Sequence, residues 1–516
     1  MKAMHALLKK EIRTRMRGNT IFVMENAYLL LLVGAFLIAL FTANDYFGWT
    51  LGRDLFVIAN SIQILLLVLA SPTLVASTFT LEREQKTLDM LLATPIPVGQ
   101  IALAKLFASL SLFFVLMLIS IPVMSVCFIF GGISPAEIAW AYLITLMGIV
   151  LAGVIGLDAS VHQQKTFMSV PISSLAIVAL LISTYVGGSL LSPVLGLLNP
   201  LYAFFVMMRE WNVKFFEMRI PFWAPTVALL APLSLAIFFN AVEDLKEEKR
   251  KSLIWPRFFF FLFFVALLTF YLGSTLQTDP LIGTGVDKLG VFGMAAFIGT
   301  VTIAVIGSSG KLTEVEQAKL SLSWKQRYLT VRGWFGPGLL VGAQFSALLA
   351  LAVAAVFAVG VYRTPAVEHK LSTAVLVGGL IILATSAFAL IGRIFSLLRK
   401  TSGKVVPPIL TIVLAVLIMS ADLALLAVGE AATRPDSAWQ ALILTEPFTA
   451  LVSMLAPERT LSDYPYCKAF LHGVPFAAAT NAFYAILLLV AAFLNTLVSR
   501  RAARRGISSS ASKRPT

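Results

Sequence analysis

The sequence predicts an all-α polytopic membrane protein, and three observations carry that prediction. The chain has 516 residues, of which 59% are hydrophobic and only 13% are charged, at a mean hydropathy of +0.89. Soluble domains contain about half apolar and about a quarter charged residues, so this composition excludes a water-soluble globule. Long apolar stretches recur along the chain without the two-residue alternation of a transmembrane barrel. Basic residues are concentrated on alternate connecting segments.

Twelve stretches are long enough to cross a bilayer as helices, because an apolar core of about 30 Å needs about 20 residues of helix. They fall into two groups of six along the chain. The predicted spans are residues 21–42, 55–79, 106–130, 138–157, 169–189, 222–240, 256–275, 289–308, 337–361, 372–396, 406–429 and 478–498.

The distribution of lysine and arginine predicts the orientation. With both termini in the cytoplasm, the inside segments hold 30 of the 40 Lys and Arg residues. This bias follows the positive-inside rule, so the net charge of +14 is a topology signal and requires no nucleic-acid partner. The basic residues of segment 1–17 alternate with apolar ones at helical spacing, which predicts an interfacial helix or, alternatively, a charged start without fixed structure.

Several kinds of chemistry lack the residues they need. The two cysteines and four histidines are scattered, so neither a disulfide framework nor a metal site is predicted. The closest match to a phosphate-binding loop is at residues 307–312. Such a loop needs a glycine five residues before Gly310, where Val305 stands, and Ser or Thr after Lys311, where Leu312 stands. We therefore expect a chain that is not an enzyme by itself and binds no cofactor.

The two groups of spans are offset by a nearly constant 231–237 residues over their first five members, which predicts an internal duplication. The E-x-E-Q-x-x-L segment at 82–88 has an echo at 314–320. Six spans per half give both halves the same orientation, as two parallel repeats. The alternative is that apolar spans simply look alike. The predicted parts are a first half at 1–240, a charged linker at 241–255, a second half at 256–499 and a basic, disordered tail at 500–516.

Residues 80–105 form the most informative connecting segment. They predict a cytoplasmic helix with Leu88, Leu91 and Leu92 on one side and charged residues elsewhere. The sequence Thr94-Pro95-Ile96-Pro97 ends that helix, because proline cannot continue its hydrogen-bond ladder. A short amphipathic helix with a rigid end suits contact with another protein, whereas the plainer interpretation is an ordinary connection between spans.

This segment closely resembles the type-2 family of ABC transporter permeases, which carries E-x-E-x-G-T-L-x-x-L-L-x-x-P between its second and third spans, and a lysine before the third. Lys86 stands in place of the family's glycine. The loop of the second half lacks the L-L-x-x-P ending. The matching residues, predicted to couple to an ATPase, are Glu82, Glu84, Thr87, Leu88, Leu91, Leu92 and Pro95, followed by Lys105 before the third span; the second-half counterparts are Glu314, Glu316 and Leu320.

The resemblance implies a multi-pass permease of the plasma or inner membrane, with export as the direction. Its partners would be ABC-type ATP-binding subunits, in two copies, that carry ATP and Mg²⁺ and drive alternating access. The sequence indicates no substrate. Two other classes stay open: a secondary transporter driven by an ion gradient, and a membrane anchor or sensor for an ATPase that transports nothing.

A few polar residues lie inside the predicted spans. Asn60 and Gln63 in the second span and Asp422 in the eleventh are candidates for lining a transport pathway. The alternative role is helix packing for Asn60 and Gln63, and an interfacial or helix-packing role for Asp422. In the outer segment 190–221, the sequence allows either short helices that dip into the membrane or aromatic side chains that anchor at the interface.

Overall fold

Nearly all of the described chain is helical in the computed structural model of the protein. The chain divides into two compact units, Met1–Ser274 and Thr275–Thr516. The structure describes residues 8–13, 19–42, 51–190, 193–209, 212–215, 218–246, 253–275, 296, 299–301, 303, 339–363, 370–398 and 480–497.

The first unit is a helical bundle with one small hairpin. Its long helices are joined by short helices at both ends of the bundle. In chain order the elements are α1 (8–13), α2 (Asn19–Thr42), α3 (Leu51–Ala76), α4 (Thr78–Glu84), α5 (Leu88–Leu92), α6 (Val98–Ser125), α7 (Pro135–His162), α8 (Thr166–Leu190), α9 (Pro193–Gly196), α10 (Pro200–Arg209), β1 (Asn212–Phe215), β2 (Met218–Pro221), α11 (Trp223–Asp244) and α12 (Ile254–Thr275).

The helices confirm a multi-pass membrane protein. Nine helices among the described residues are long and apolar enough to cross a membrane, and each coincides with one of the predicted spans. The first predicted span is α2, whose apolar part is Phe22–Ile38. Of the predicted span 289–308 only residues 296, 299–301 and 303 are described, all as helix, and the span 406–429 lies outside the described residues. The total of twelve spans stays a prediction.

Close contact between α3 and α7 forms the centre of the first unit. A Cβ added to Gly156 of α7 would lie only 2.8 Å from the carbonyl oxygen of Pro72 in α3, so the absence of a side chain permits this approach. Pro72 cannot donate to the carbonyl of Val68, and the hydroxyl of Ser71 lies 3.4 Å from that carbonyl and 3.3 Å from the carbonyl of Ile149. Backbone groups are thereby satisfied inside the bundle.

Segment 190–221 forms short helices, one of the two alternatives that the sequence allowed, and a hairpin that it did not predict. Two short helices, α9 and α10, pack on the bundle, and the buried Phe204 meets Phe56 of α3 with ring centroids 5.9 Å apart. The side chain of Asn199 begins α10 by accepting from the amide of Leu201 at 2.9 Å, ahead of a helix that starts at Pro200. The all-α prediction omitted the antiparallel hairpin of β1 and β2 that follows.

The second unit contains three described long helices, α13 (Leu339–Arg363), α14 (Lys370–Leu398) and α15 (Thr480–Leu497). Helix α14 packs on α13, and it contacts α15 through Asn481, whose side-chain amide donates to the carbonyl of Leu376 at 2.9 Å. Helix α12, predicted as the first span of the second half, falls almost wholly within the first compact unit, where Phe270 packs on Phe215 of the hairpin.

We expect Gly156→Ala to destabilise the first unit by about 1–3 kcal/mol, because the new methyl group collides with backbone atoms of Pro72. The measurement is the thermal unfolding midpoint in mild detergent. Gly34→Ala in α2 is the matched control, since a Cβ there meets no atom within 4 Å and alanine favours helix. Equal unfolding midpoints for the two variants would contradict this account of the contact.

Candidate functional site

The elbow (residues 78–97) joins α3 to α6 and contains the segment that the sequence singled out. It is two short helices, where the sequence predicted one. Helix α4 continues the line of α3, the chain turns at Lys86, and α5 begins at Leu88. Lys86 has a φ of +59°, in the left-handed region that glycine occupies without cost. The pattern that this segment resembles has glycine here, the residue that adopts such a turn most easily.

A buried ammonium group holds the elbow together. Lys105 of α6 has a side chain only 3% exposed, and its Nζ lies 3.1 Å from Glu82 Oε1 and 3.3 Å from Glu11 Oε1. The hydroxyl of Thr87 donates to the other carboxylate oxygen of Glu82. The ring of Phe79 lies with its centroid 5.8 Å from Nζ, in a cation–π contact. One lysine thus joins α1, α4 and α6, and Thr87 joins the start of α5 to the same group.

Glu82 is ionised in this group. Glu82 lies outside the predicted span 55–79, and the helical segment Gly52–Glu84, at 33 residues or about 50 Å, is longer than an apolar core of about 30 Å requires. Partial burial raises the pKa of Glu82, but the hydrogen bonds from Thr87 and Lys105 and the positive charge of Lys105 outweigh it and lower the pKa below its ordinary value. The carboxylate therefore stays charged, and it is occupied by intramolecular contacts.

The next two residues attach the elbow to the connection between α7 and α8. Arg83 donates from Nη2 to the carbonyl of Val161 at 3.1 Å and from Nη1 to the carbonyl of Gln163, at the carboxyl end of α7. Glu84 accepts from the amide of Thr166 at 2.8 Å, at the first residue of α8. A cation at a helix C-terminus and an anion at a helix N-terminus both satisfy unpaired backbone groups. Three successive side chains thus reach three different helices.

The three leucines of the segment face the interior of their own chain. Leu88 is 9% exposed, and Leu91 and Leu92 are half-buried against the same core. The outward side of α5 instead presents Met90, which is 75% exposed. Pro95 is exposed in the turn that follows α5. The predicted sidedness of the helix is correct, but the surface available to a partner is the opposite side.

A charged group beside the elbow was missed by the sequence analysis. His162 ends α7, beyond the predicted span 138–157, and its Nε2 lies 3.3 Å from Asp244 Oδ2 at the end of α11. Its Nδ1 lies 3.6 Å from Asp158 Oδ2, and the amide of Asn240 donates to Asp158 Oδ1 at 3.3 Å. The contact with Asp244 raises the pKa of His162 to about 9. Partial burial opposes this rise, and the contacts with Asp158 add to it. Asp158 and His162 are four residues apart on α7, and Asn240 and Asp244 are four apart on α11, so local spacing could have suggested each pair but not the contact between the two helices.

The remaining predicted residues have different surroundings. Asn60 and Gln63 are fully buried inside the first unit, on one face of α3. Asp422 and the second-half residues Glu314, Glu316 and Leu320 lie outside the described residues.

Compared with models of protein families, curated proteins and solved structures, the chain matches none of them.

The left-handed turn at Lys86 generates a test of the elbow. We expect Lys86→Gly to raise the free energy of unfolding by about 0.5–1 kcal/mol, since the relief of backbone strain exceeds the entropy cost of glycine. Gln85→Gly is the control, because Gln85 has an ordinary φ of −80° and glycine there should lower stability. The measurement is thermal unfolding in mild detergent. A loss of stability in both variants would show that the turn carries no strain.

The His162 group predicts a pH dependence. Because the folded-state pKa of His162 is above its ordinary 6.5, its contribution to stability is full below about pH 6.5 and is lost as the pH rises through about 9. The unfolding midpoint of the purified chain should therefore fall across this range. In His162→Gln the same range should give a flatter profile, and an unchanged profile would assign the effect to other groups.

Proposed function

We propose that the chain is the permease of an ABC exporter in a plasma or inner membrane. ATP-binding subunits, in two copies, would dock on its cytoplasmic loops and drive alternating access, with ATP and Mg²⁺ held by those subunits. The proposal rests on the resemblance of residues 80–105 and on one structural observation: the elbow presents an exposed Met90 on a short helix that is tied to several spans.

The elbow has the mechanical properties that such a coupling needs. A force on α5 passes to α6 through the Thr87–Glu82–Lys105 contacts, since Lys105 is too deeply buried to exchange its partners for water. The same force reaches α7 through Arg83 and α8 through Glu84. A docked partner could therefore move several spans together, whereas a flexible loop would absorb the motion.

Helix pairings that recur in the two units support the predicted duplication. In the first unit the predicted fourth span, α7, contacts the second, third and sixth spans, α3, α6 and α11. In the second unit the fourth span, α14, packs on the third, α13, and contacts the sixth, α15, through Asn481. Thr385 of α14 lies 3.5 Å from Thr300 in the second span of that half. In the described part of each unit, the predicted fourth span thus contacts the second, third and sixth.

The docking surface can be tested by affinity purification of the tagged chain in mild detergent, with mass spectrometry of the proteins that accompany it. We expect an ABC-type ATP-binding subunit to co-purify, and Met90→Glu to reduce its recovery at least about tenfold, because burying an unpaired charge in a contact costs more than about 1.4 kcal/mol.

Ile129→Glu is the matched control, since Ile129 is 82% exposed, lies four residues beyond the opposite end of α6, and should leave the recovery unchanged. Purification of the unaltered chain without any ATP-binding subunit would reject the proposal and favour transport driven by an ion gradient. Equal losses in Met90→Glu and Ile129→Glu would show that α5 is not the docking surface.

A further inference from the structure

Helix α1 (8–13) has two sides of different chemistry. The inward side is half-buried and has i, i+3 and i+4 spacing: Leu8, Glu11 and Ile12. The exposed side has i, i+1 and i+4 spacing and consists only of basic residues: Lys9, Lys10 and Arg13. Residues at such spacing share one side of a helix, so α1 presents a continuous positive surface.

Glu11 fixes the direction of this surface. Its Oε1 lies 3.3 Å from Nζ of Lys105, whose side chain is only 3% exposed and whose Nζ also contacts Glu82. Lys10, at the edge of the exposed side, lies close enough to Glu82 to act on its charge. Because a buried ammonium group needs its carboxylates, these contacts hold α1 against the start of α6 and the end of α4. The exposed side therefore keeps a fixed direction relative to the bundle.

The partners of Glu11 also set the depth of α1. Lys105 immediately precedes the predicted span 106–130, and Glu82 follows the predicted span 55–79. A helix held against both residues lies at the edge of the apolar core, where lipid headgroups begin. In the part of the chain that the structure describes, neither Lys9 nor Arg13 forms an ion pair. Their charges are thus exposed at the depth of the headgroups.

We propose that the exposed side of α1 binds the headgroups of anionic phospholipids in the leaflet at this end of the bundle. Lysine and arginine donate charge-assisted hydrogen bonds to phosphate oxygens. A negatively charged leaflet attracts basic residues only within about 10 Å of its surface, and the contact of Glu11 with Lys105 holds α1 at that depth. An interfacial helix that binds through apolar residues alone would not distinguish anionic from neutral lipids. This proposal does not depend on an ATP-driven partner.

Amine acetylation, followed by mass spectrometry, tests the proposal on the full chain in lipid nanodiscs. An ammonium group bound to phosphate reacts slowly, so Lys9 should be acetylated several-fold more slowly in phosphatidylcholine mixed with phosphatidylglycerol than in phosphatidylcholine alone. Lys86, exposed in the elbow, is the internal standard and should change much less. Equal rates for Lys9 in the two membranes, or an equal slowing of Lys9 and Lys86, would overturn the proposal without the need for a variant.

Two variants of Arg13 give a second readout and keep Lys9 as the reporter. Arg13→Gln removes one charge from the same side of α1, so the protection of Lys9 by anionic lipid should fall several-fold. Arg13→Lys is the matched control, which keeps the charge and should keep the protection. Full protection in Arg13→Gln, or an equal loss in both variants, would show that the charge of this side does not bind the lipid, which would also overturn the proposal.

A further arm of the experiment distinguishes lipid headgroups from free phosphate. Neutral nanodiscs with millimolar inorganic phosphate should leave Lys9 as reactive as in phosphatidylcholine alone, because a soluble anion is not held at the depth of α1. Protection of Lys9 equal to that in phosphatidylglycerol would assign the site to free phosphate and overturn the lipid proposal.

Discussion

The buried ammonium group of Lys105 is the constraint on which the elbow depends. A charge that is 97% shielded from solvent is stable only when carboxylates are held against it, and here Glu82 and Glu11 supply them. Because the three side chains come from α6, α4 and α1, the ion group fixes where the third predicted span begins relative to the end of the second. The position of α5 then follows from Thr87, whose hydroxyl binds the same carboxylate.

At the same end of the bundle, Arg83 and Glu84 contact backbone groups of neighbouring helices and do not form surface ion pairs with each other. Exposed pairs contribute about 0–1 kcal/mol each, so the exposed Glu84 adds little stability by itself. Glu84 accepts from a backbone amide at the start of α8, and Arg83 donates to backbone carbonyls at the end of α7. These contacts fix the orientation of α4 relative to α7 and α8 more than they add stability. They make α4 the common point of attachment for the surrounding helices.

The sequence predicted the membrane-spanning helices well because membrane thickness dictates their length and composition. It predicted the elbow only in part. The spacing of Leu88, Leu91 and Leu92 predicted that these residues share one side of a helix. Periodicity does not say whether such an apolar side packs on its own chain or on a partner, and here it packs on its own chain. The break at Lys86 had a signal in the glycine of the family pattern. The hairpin lay in a segment considered only for helices and interfacial aromatics.

The contrast among polar residues within the bundle explains why Asn60 and Gln63 stand apart. Short hydroxyl side chains satisfy themselves on their own helix: Thr145 donates to the carbonyl of Ala141 at 2.8 Å, and Thr226 donates to that of Phe222 at 2.8 Å. Such residues indicate nothing about a ligand, however many there are. Asparagine and glutamine carry more donors and acceptors than a helix carbonyl can satisfy, so they need partners from elsewhere.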